Sequence, residues 1–205
     1  MDVKKIPLAC LTIYAVAVCI GSIMTDNMAL WLTEISLPVM VVVTLVYFRN
    51  ELPFSPLSYL CITLLFLLHA LVAIHPMATS PLGFKAEALL GWRRNNIDHV
   101  LHFMGGLFLW WPVFEVVALV VNPKRVANAV LSIALVLSLS AGYELLEWKS
   151  VIMLGGKNAD LFLGWQGDRW DAQKDMALEL GGAVCASLAG YLLRFAQRVG
   201  GLRKG

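Results

Sequence analysis

The sequence IPLACLTIYAVAVCIGSIM, residues 6–24, contains no charged side chain. A helix needs about 20 consecutive apolar residues to cross a hydrocarbon core of about 30 Å, so this stretch predicts a membrane span. Lys4 and Lys5 precede it as in a signal peptide, but Val18 stands before Cys19, where a lipoprotein cleavage site needs a small residue. A second apolar run follows at once. We therefore expect an uncleaved transmembrane helix.

The composition extends this prediction to the whole chain. Of 205 residues, 59% are hydrophobic and 15% are charged, whereas soluble domains carry about 45–50% apolar and about 25% charged residues. Sixteen Lys and Arg against fourteen Asp and Glu give a net charge of +2, which leaves no basic excess for binding a nucleic acid. We predict one integral membrane domain over residues 1–205, surrounded by lipid and without a nucleic-acid partner.

The apolar runs predict an all-α fold, a polytopic bundle of about six transmembrane helices. The expected spans are residues 6–24, 28–48, 56–74, 98–121, 126–148 and 171–195. Polar loops are expected at 75–97 and 149–170. The cysteines lie inside apolar runs without a CxxC pair, which indicates small hydrophobic core residues rather than a disulfide or metal site. These cysteines are Cys10, Cys19, Cys61 and Cys185.

Basic residues predict the orientation, because cytoplasmic loops are enriched in Lys and Arg. The side that holds both termini carries nine of them, in shorter loops with few acids, and the other side carries seven. The nine are Lys4, Lys5, Arg49, Lys124, Arg125, Arg194, Arg198, Arg203 and Lys204. The seven are Lys85, Arg93, Arg94, Lys149, Lys157, Arg169 and Lys174. We expect both termini to be cytoplasmic.

The alternation of the spans brings most acidic side chains to one membrane face, which we call the histidine face. All four histidines and eleven of the fourteen acids belong to it. The histidines are His69, His75, His99 and His102. The acids are Asp26, Glu34, Glu87, Asp98, Glu144, Glu147, Asp160, Asp168, Asp171, Asp175 and Glu179. Ionisable groups in membrane spans are costly and mark functional sites, so this clustering indicates a site.

The spacing of these residues places them on common helix sides, since residues three or four apart are neighbours on a helix. Such sets are Asp98 with His102, Glu144 with Glu147, and the row Asp168, Asp171 and Asp175, continued by Glu179. Three helix ends would thus meet in the bundle.

Clustered carboxylates repel one another unless they are protonated, paired with cations or bridged by a metal. Carboxylate and imidazole ligands suit Zn, Mn, Fe or Mg, and such an ion activates water or polarises a phosphoryl or carbonyl oxygen. The expected ligands of a divalent metal are His102, Glu144, Asp168, Asp171 and Asp175. The expected catalytic residues are Asp98, His102, Glu144, Glu147, Asp171 and Asp175. The alternative is a structural salt-bridge network with Arg93, Arg94, Arg169 and Lys174.

We predict simpler, mainly structural roles for the other polar residues. Asp26 is expected to cap a helix, Glu34 to be an interfacial charge, and His69 to hydrogen-bond a neighbour inside its span. His99 faces away from His102 and is the weaker ligand, whereas Glu115 lies inside a span and needs a partner or a proton. Most tryptophans are expected in the interfacial belt, namely Trp92, Trp110, Trp111, Trp148, Trp165 and Trp170. Small residues of the last span predict close packing of helices, and these are Gly181, Gly182, Ala183, Ala186 and Gly190.

Several motifs resemble the YjdF family of bacterial inner-membrane proteins. They are SPLGF (80–84), Arg94-Asn95, Asp98, His102-Phe103, YELLEW (143–148), ADLFLG (159–164) and QGDRWDAQKDM (166–176). The resemblance implies an inner-membrane location and places Gln166 and Gln173 in the family pattern beside the acids. His99 stands where the family pattern has Arg, and the stretch after His75 lacks the segment similar to Gly-His-Tyr-Thr-Tyr. The pairs 98/102, 144/147 and 171/175 also resemble, more distantly, VanZ-like membrane proteins.

Three functions remain open on the sequence. The first is a metal-dependent hydrolase or transferase acting on a lipid or envelope precursor. The second is a protein that binds or transports a cation or a cationic headgroup, and the third is an accessory subunit of a larger membrane complex whose polar cluster is structural. The sequence contains no nucleophile elbow, P-loop or dinucleotide fingerprint, so we expect no nucleotide cofactor.

Overall fold

The computed structural model describes residues 6–154 and 166–202, with side chains described for 6–153 and 166–194. In these ranges the chain forms α-helices without a strand. The helices are α1 (Ile6–Met24), α2 (Met28–Tyr47), α3 (Pro56–Val72), α4 (Pro81–Leu90), α5 (Ile97–Val120), α6 (Arg125–Leu154) and α7 (Asp171–Leu202). Five of them are long and apolar enough to cross a membrane, and α3 is a shorter apolar helix. The predicted polytopic helix bundle is confirmed.

Some sequence predictions fall outside the described residues. They concern Lys4, Lys5, Lys157, the motif at 159–164 with Asp160, Trp165, Arg203 and Lys204, and the side chain of Arg198.

Local sequence signals explain where the helices begin. The Asn27 side chain accepts a hydrogen bond from the Leu30 amide at 3.2 Å and so caps α2. The expectation that Asp26 is a helix cap is therefore wrong, and Asp26 instead lies 3.4 Å from His75. Ser55 caps α3 in the same way, with Pro56 at the first helical position.

Three helix ends differ from the predicted spans by two or more residues, and one of them is the end of α7, which lies at Leu202 instead of residue 195. Helix α3 ends at Val72, ahead of Pro76, which disfavours helical backbone in the residue before it. Helix α6 continues to Leu154, so the first residues of the predicted loop at 149–170 are helical.

The predicted polar loop at 75–97 is largely ordered around one buried side chain, Asn95. Its amide nitrogen donates to the carbonyl of Met77 at 3.1 Å, and its oxygen accepts from the Ile97 amide at 3.1 Å. Gly83 of α4 makes room for it, because a Cβ at that position would lie 1.8 Å from the Asn95 side-chain oxygen. The loop is thereby fastened to the first turn of α5.

The closest helix–helix contact in the described part joins α5 and α7. A Cβ on Gly106 would lie 1.8 Å from the carbonyl oxygen of Glu179, and one on Gly182 would lie 2.1 Å from that of Phe103. The predicted packing role is therefore confirmed for Gly182, whereas Gly181 has no atom within 4 Å of such a Cβ. This contact holds the histidine-face halves of α5 and α7 against each other.

The tryptophans divide between core and surface. Trp110 is 4% exposed and packs with Ala183 and Ala186, so its expected place in the interfacial belt is wrong. Gly190 admits this ring, since a Cβ there would lie 3.3 Å from it. Trp148 and Trp170 are more than half exposed, as belt residues are.

Candidate functional site

The histidine-face ends of α5, α6 and α7 meet and bring the predicted acids together. Helix α5 supplies Asp98 and His102, α6 supplies Glu144 and Glu147, and α7 supplies Asp171, Asp175 and Glu179. All of these side chains are buried except that of Glu144, which is half-buried. Their contacts divide them into two layers that differ in charge.

The inner layer surrounds the imidazole of His102. Its other members are Asp98, Glu144, Glu147, Asp175 and Glu179. Nε2 of His102 lies 3.7 Å from Asp98 Oδ1 and 3.6 Å from Glu144 Oε1. Nδ1 lies 3.3 Å from Glu179 Oε2, so the tautomer that is protonated at Nδ1 donates to this carboxylate. The ring is thereby oriented with Nε2 towards Asp98 and Glu144.

The inner layer is rich in negative charge. It contains five carboxyl groups and one imidazole, and within the described ranges no Lys or Arg lies at ion-pair distance from these carboxyls. Glu144 Oε1 and Asp175 Oδ1 are buried without a hydrogen-bond donor. Burying an unpaired carboxylate is costly. The inner layer therefore requires protons or a cation.

The ligand atoms of this layer lie close enough to share a metal ion. Atoms of Asp98, His102 and Asp175 all lie within 4.8 Å of one another, as do atoms of His102, Glu144 and Glu147. Ligands at about 2.0–2.2 Å from a metal lie at most about 4.4 Å apart, so a small contraction suffices. One nitrogen and several oxygens suit a first-row divalent ion or Mg²⁺.

The outer layer lies on the surface side and consists of Arg94, His99, Asp168, Asp171 and Lys174. Arg94 Nη2 donates to Asp171 Oδ1 at 2.6 Å and contacts His99 Nε2 at 3.0 Å. Atoms of His99, Asp171 and Asp175 form a third set that is close enough to share a metal ion. In this set Asp171 is already paired with the guanidinium of Arg94. Since arginine nitrogens only donate, His99 Nε2 acts here as an acceptor.

Asp168 is neutralised by basic side chains. Lys174 donates to its carboxylate, and Arg94 Nη1 lies 3.6 Å from the same oxygen. The hydrogen bond from Lys174, with a second from the Trp170 amide, lowers the pKa of Asp168 below its usual range. The salt-bridge alternative thus describes the outer layer, while the inner layer lacks such partners.

The predicted acidic row on α7 is therefore divided by depth. Asp168 and Asp171, both expected as metal ligands, pair with basic residues, whereas Asp175 belongs to the inner layer. Gln166 donates to the Asn95 carbonyl at 2.6 Å and connects the start of α7 to that of α5. Gln173 is exposed on α7.

Sequence reasoning gave too little weight to two site residues. Glu179 orients His102, and its spacing of four residues from Asp175 was the available signal. His99, expected to be the weaker ligand because it faces away from His102, lies 3.3 Å from Asp171 and 3.7 Å from Asp175. It reaches the site through α7, a contact that spacing along α5 does not reveal.

Two further acids lie outside both layers. The expectation that Glu34 is an interfacial charge is wrong, since its side chain is 4% exposed and lies 3.5 Å from His69 Nε2. Glu115 has the partner that its burial required, because it accepts hydrogen bonds from the amide and hydroxyl of Ser55, at 2.9 Å and 2.5 Å. Thirteen residues of α5 separate it from His102, about 20 Å along the helix.

The long apolar helices and their buried His–carboxylate cluster define a polytopic α-helical membrane protein. Residues 6–195 match the family described as "Predicted membrane protein (DUF2238)". The chain is 37% identical over 172 residues to "Inner membrane protein YjdF" of Escherichia coli (strain K12), which covers 80% of this chain and 78% of that protein. The chain therefore belongs to this family, as its motifs predicted. No solved structure matches it at a significant level.

Proposed function

We propose that this protein binds one divalent metal ion in the inner layer and uses it to hydrolyse or transfer a group of a lipid or envelope precursor. The observation that carries the proposal is the charge of the inner layer, where five carboxyls surround one imidazole without a described Lys or Arg at ion-pair distance. A divalent ion would neutralise two of these charges and take the unpartnered oxygens of Glu144 and Asp175 as ligands.

The inner layer has the parts that a metal site needs. His102 Nε2, Asp98 Oδ1 and an oxygen of Asp175 form one ligand set, with Glu144 beside them. Glu179 on Nδ1 supplies the carboxylate–histidine pairing that orients metal-bound imidazoles in proteins. The metal would polarise a substrate oxygen or activate water, and Glu147 is the nearby carboxylate suited to accept a proton.

The location of the site limits its substrates. The inner layer lies where α5, α6 and α7 meet the histidine face, and Leu145, Leu146 and Trp148 beside it on α6 are exposed. A molecule that reaches the layer from the side therefore arrives from lipid. The name of its relative supports a location in a bacterial inner membrane, and the excess of Lys and Arg on the side of the termini supports cytoplasmic termini. Reporter fusions at residue 205 test that orientation, and an exported reporter that is active there would contradict it.

Burial of the same ligands favours a second function, in which the protein binds or transports the cation without chemistry. Asp175 and His102 have side chains only 3% and 7% exposed, which suits an ion better than a large substrate. The two functions predict different experimental outcomes. Metal-dependent conversion of a membrane lipid extract, followed by mass spectrometry, supports the enzyme, and metal uptake into vesicles without conversion supports the transporter.

Metal analysis of the purified protein tests the shared step. We expect about one Zn²⁺ or Mn²⁺ per chain after loading and dialysis, and an affinity reduced at least about tenfold in His102→Gln and Asp175→Asn. Gln173→Asn, an exposed change on the same helix, is the matched control and should bind as the parent does. A metal-free parent, or folded His102→Gln with parental affinity, would overturn the proposal.

A further inference from the structure

A cavity of about 360 Å³ lies at the membrane face opposite the histidine face, between the loop that joins α2 to α3 and the last turns of α5. Its walls are apolar and include Leu52, Phe54, Val116 and Leu119, whereas Ser55 and Glu115 are its polar lining residues. Cavities that bind small molecules enclose about 300–1,000 Å³ and combine apolar walls with a few polar groups. This cavity therefore has the size and the composition of a ligand site.

Glu115 brings a carboxylate into the cavity without a basic partner. The carboxylate accepts hydrogen bonds from the amide of Ser55 at 2.9 Å and from its hydroxyl at 2.5 Å. These donors are neutral, and the N-terminus of α3, to which Ser55 belongs, offers only about half a positive charge. Within the described ranges, the ion pairs of Lys and Arg involve Asp168 and Asp171 instead. A cationic ligand would balance the negative charge that Glu115 retains.

The cavity is accessible from lipid. Leu119 of its wall is 54% exposed, and Leu57 and Leu60 on the adjacent α3 are 42% and 50% exposed. The 24 residues of α5 extend over about 36 Å, so Glu115, five residues before the end at Val120, lies within about 5 Å of the edge of a hydrocarbon core of about 30 Å. A ligand with a cationic headgroup and an apolar tail fits this depth.

The lining of the cavity favours one kind of cation. A metal ion requires several oxygen or nitrogen ligands, whereas the described lining offers one carboxylate between apolar walls. A carboxylate has about four acceptor positions, of which Ser55 uses two. The remaining positions suit the N–H donors of a primary ammonium, which a quaternary ammonium lacks. Phe54 also supplies an aromatic ring, whose face attracts cations.

We propose that this cavity binds the headgroup of an aminophospholipid, with Glu115 as the ion-pair partner of its primary ammonium. The ammonium donates hydrogen bonds to the carboxylate, and the glycerol and upper acyl chains lie against Leu119 and the exposed side of α3. Arg49 and Lys124 are exposed at the same membrane face and are available to the lipid phosphate. The site is separate from the two layers, so its occupancy does not depend on the proposed function.

Native mass spectrometry of the metal-free protein in detergent tests this site. Phosphatidylethanolamine, phosphatidylglycerol and phosphatidylcholine with identical acyl chains are titrated separately. We expect the parent to bind phosphatidylethanolamine at least about tenfold more tightly than either of the others, because a charge-assisted hydrogen bond distinguishes it. Equal affinity for phosphatidylglycerol would overturn the proposal, and equal affinity for phosphatidylcholine would overturn the assignment of a primary ammonium.

Two substitutions locate the binding. Glu115→Gln keeps an oxygen for Ser55 and should lose the preference for phosphatidylethanolamine, whereas Glu51→Gln, a change in the adjacent loop, should keep it. Ala118→Phe fills the cavity and leaves the carboxylate in place, so it should also weaken this binding, whereas Ala127→Phe on the exposed side of α6 should not. Thermal unfolding verifies that each variant is folded. A parental preference in folded Glu115→Gln, or parental affinity in folded Ala118→Phe, would place the lipid elsewhere and overturn the proposal.

Discussion

The inner and outer layers use the same side-chain types on the same helices, yet they balance charge differently. Asp171 and Asp175 are one helical turn apart on α7. Asp171 receives a hydrogen bond from Arg94 at 2.6 Å, whereas Asp175 has an oxygen without any donor. The loop before α5 supplies the guanidinium, and it reaches only the first turn of α7.

This difference shows that the role available to an acidic side chain depends on how deep it lies in the helix bundle. Near the surface, flexible basic side chains neutralise carboxylates, and the result is a structural network. One turn deeper, those side chains are absent from the described surroundings and the acids need a proton or an ion. The comparison therefore supports a structural role for the outer layer and motivates the proposed binding role of the inner one, and three substitutions test it.

The largest effect is expected from Gly106→Val, which would remove the contact that holds both layers. Its Cβ would lie 1.8 Å from a backbone oxygen of α7, so the helices must separate. We expect a loss of about 3 kcal/mol, and a thermal midpoint lower by about 6–12 °C, together with loss of metal binding. Gly181→Ala, with no atom within 4 Å of its Cβ, is the control. Unchanged unfolding of Gly106→Val in nanodiscs would contradict this packing.

The second effect tests whether Arg94 is what separates the layers. Arg94→Gln leaves the buried Asp171 without its cation, and we expect a loss of about 1–3 kcal/mol in thermal unfolding. The double variant Arg94→Gln with Asp171→Asn should recover part of the stability that Arg94→Gln loses. Added Zn²⁺ should stabilise Arg94→Gln more than the parent, because His99, Asp171 and Asp175 become a free ligand set. Equal stabilisation of both proteins would mean that the guanidinium does not stand in for an ion.

The smallest effect is expected at Asp168, which is half-buried and paired with Lys174. Its pKa is lowered in the folded protein, so its contribution to stability is present above the unfolded pKa of about 3.9 and is lost as the pH falls through the lower folded value. Asp168→Asn should shift the thermal midpoint by about 2 °C or less at neutral pH. Below about pH 4, its melting temperature should also fall less steeply with decreasing pH than that of the parent. A large neutral-pH shift would place Asp168 in the functional layer.

Much of the candidate site could be predicted because helical spacing is a local property. Asp98 with His102, and Glu144 with Glu147, are neighbours on their own helices and also in the bundle. His99 and Glu34 were misjudged because their partners belong to other helices. His99 contacts residues of α7, and Glu34 contacts His69 of α3. Spacing within one helix does not say which residue of another helix lies opposite.

The sequence by itself determined that this protein lies in a lipid bilayer, that it forms long apolar helices, and at which membrane face most of its acidic residues lie. These follow from run length and alternation, which depend only on neighbouring residues. Only the tertiary structure decided which acids are neutralised, that Glu34 and Trp110 are buried, and that Glu179 orients His102. The His102–Glu179 contact joins residues 77 positions apart. Its geometry depends on how closely α5 and α7 approach at Gly106 and Gly182, and therefore on packing between helices.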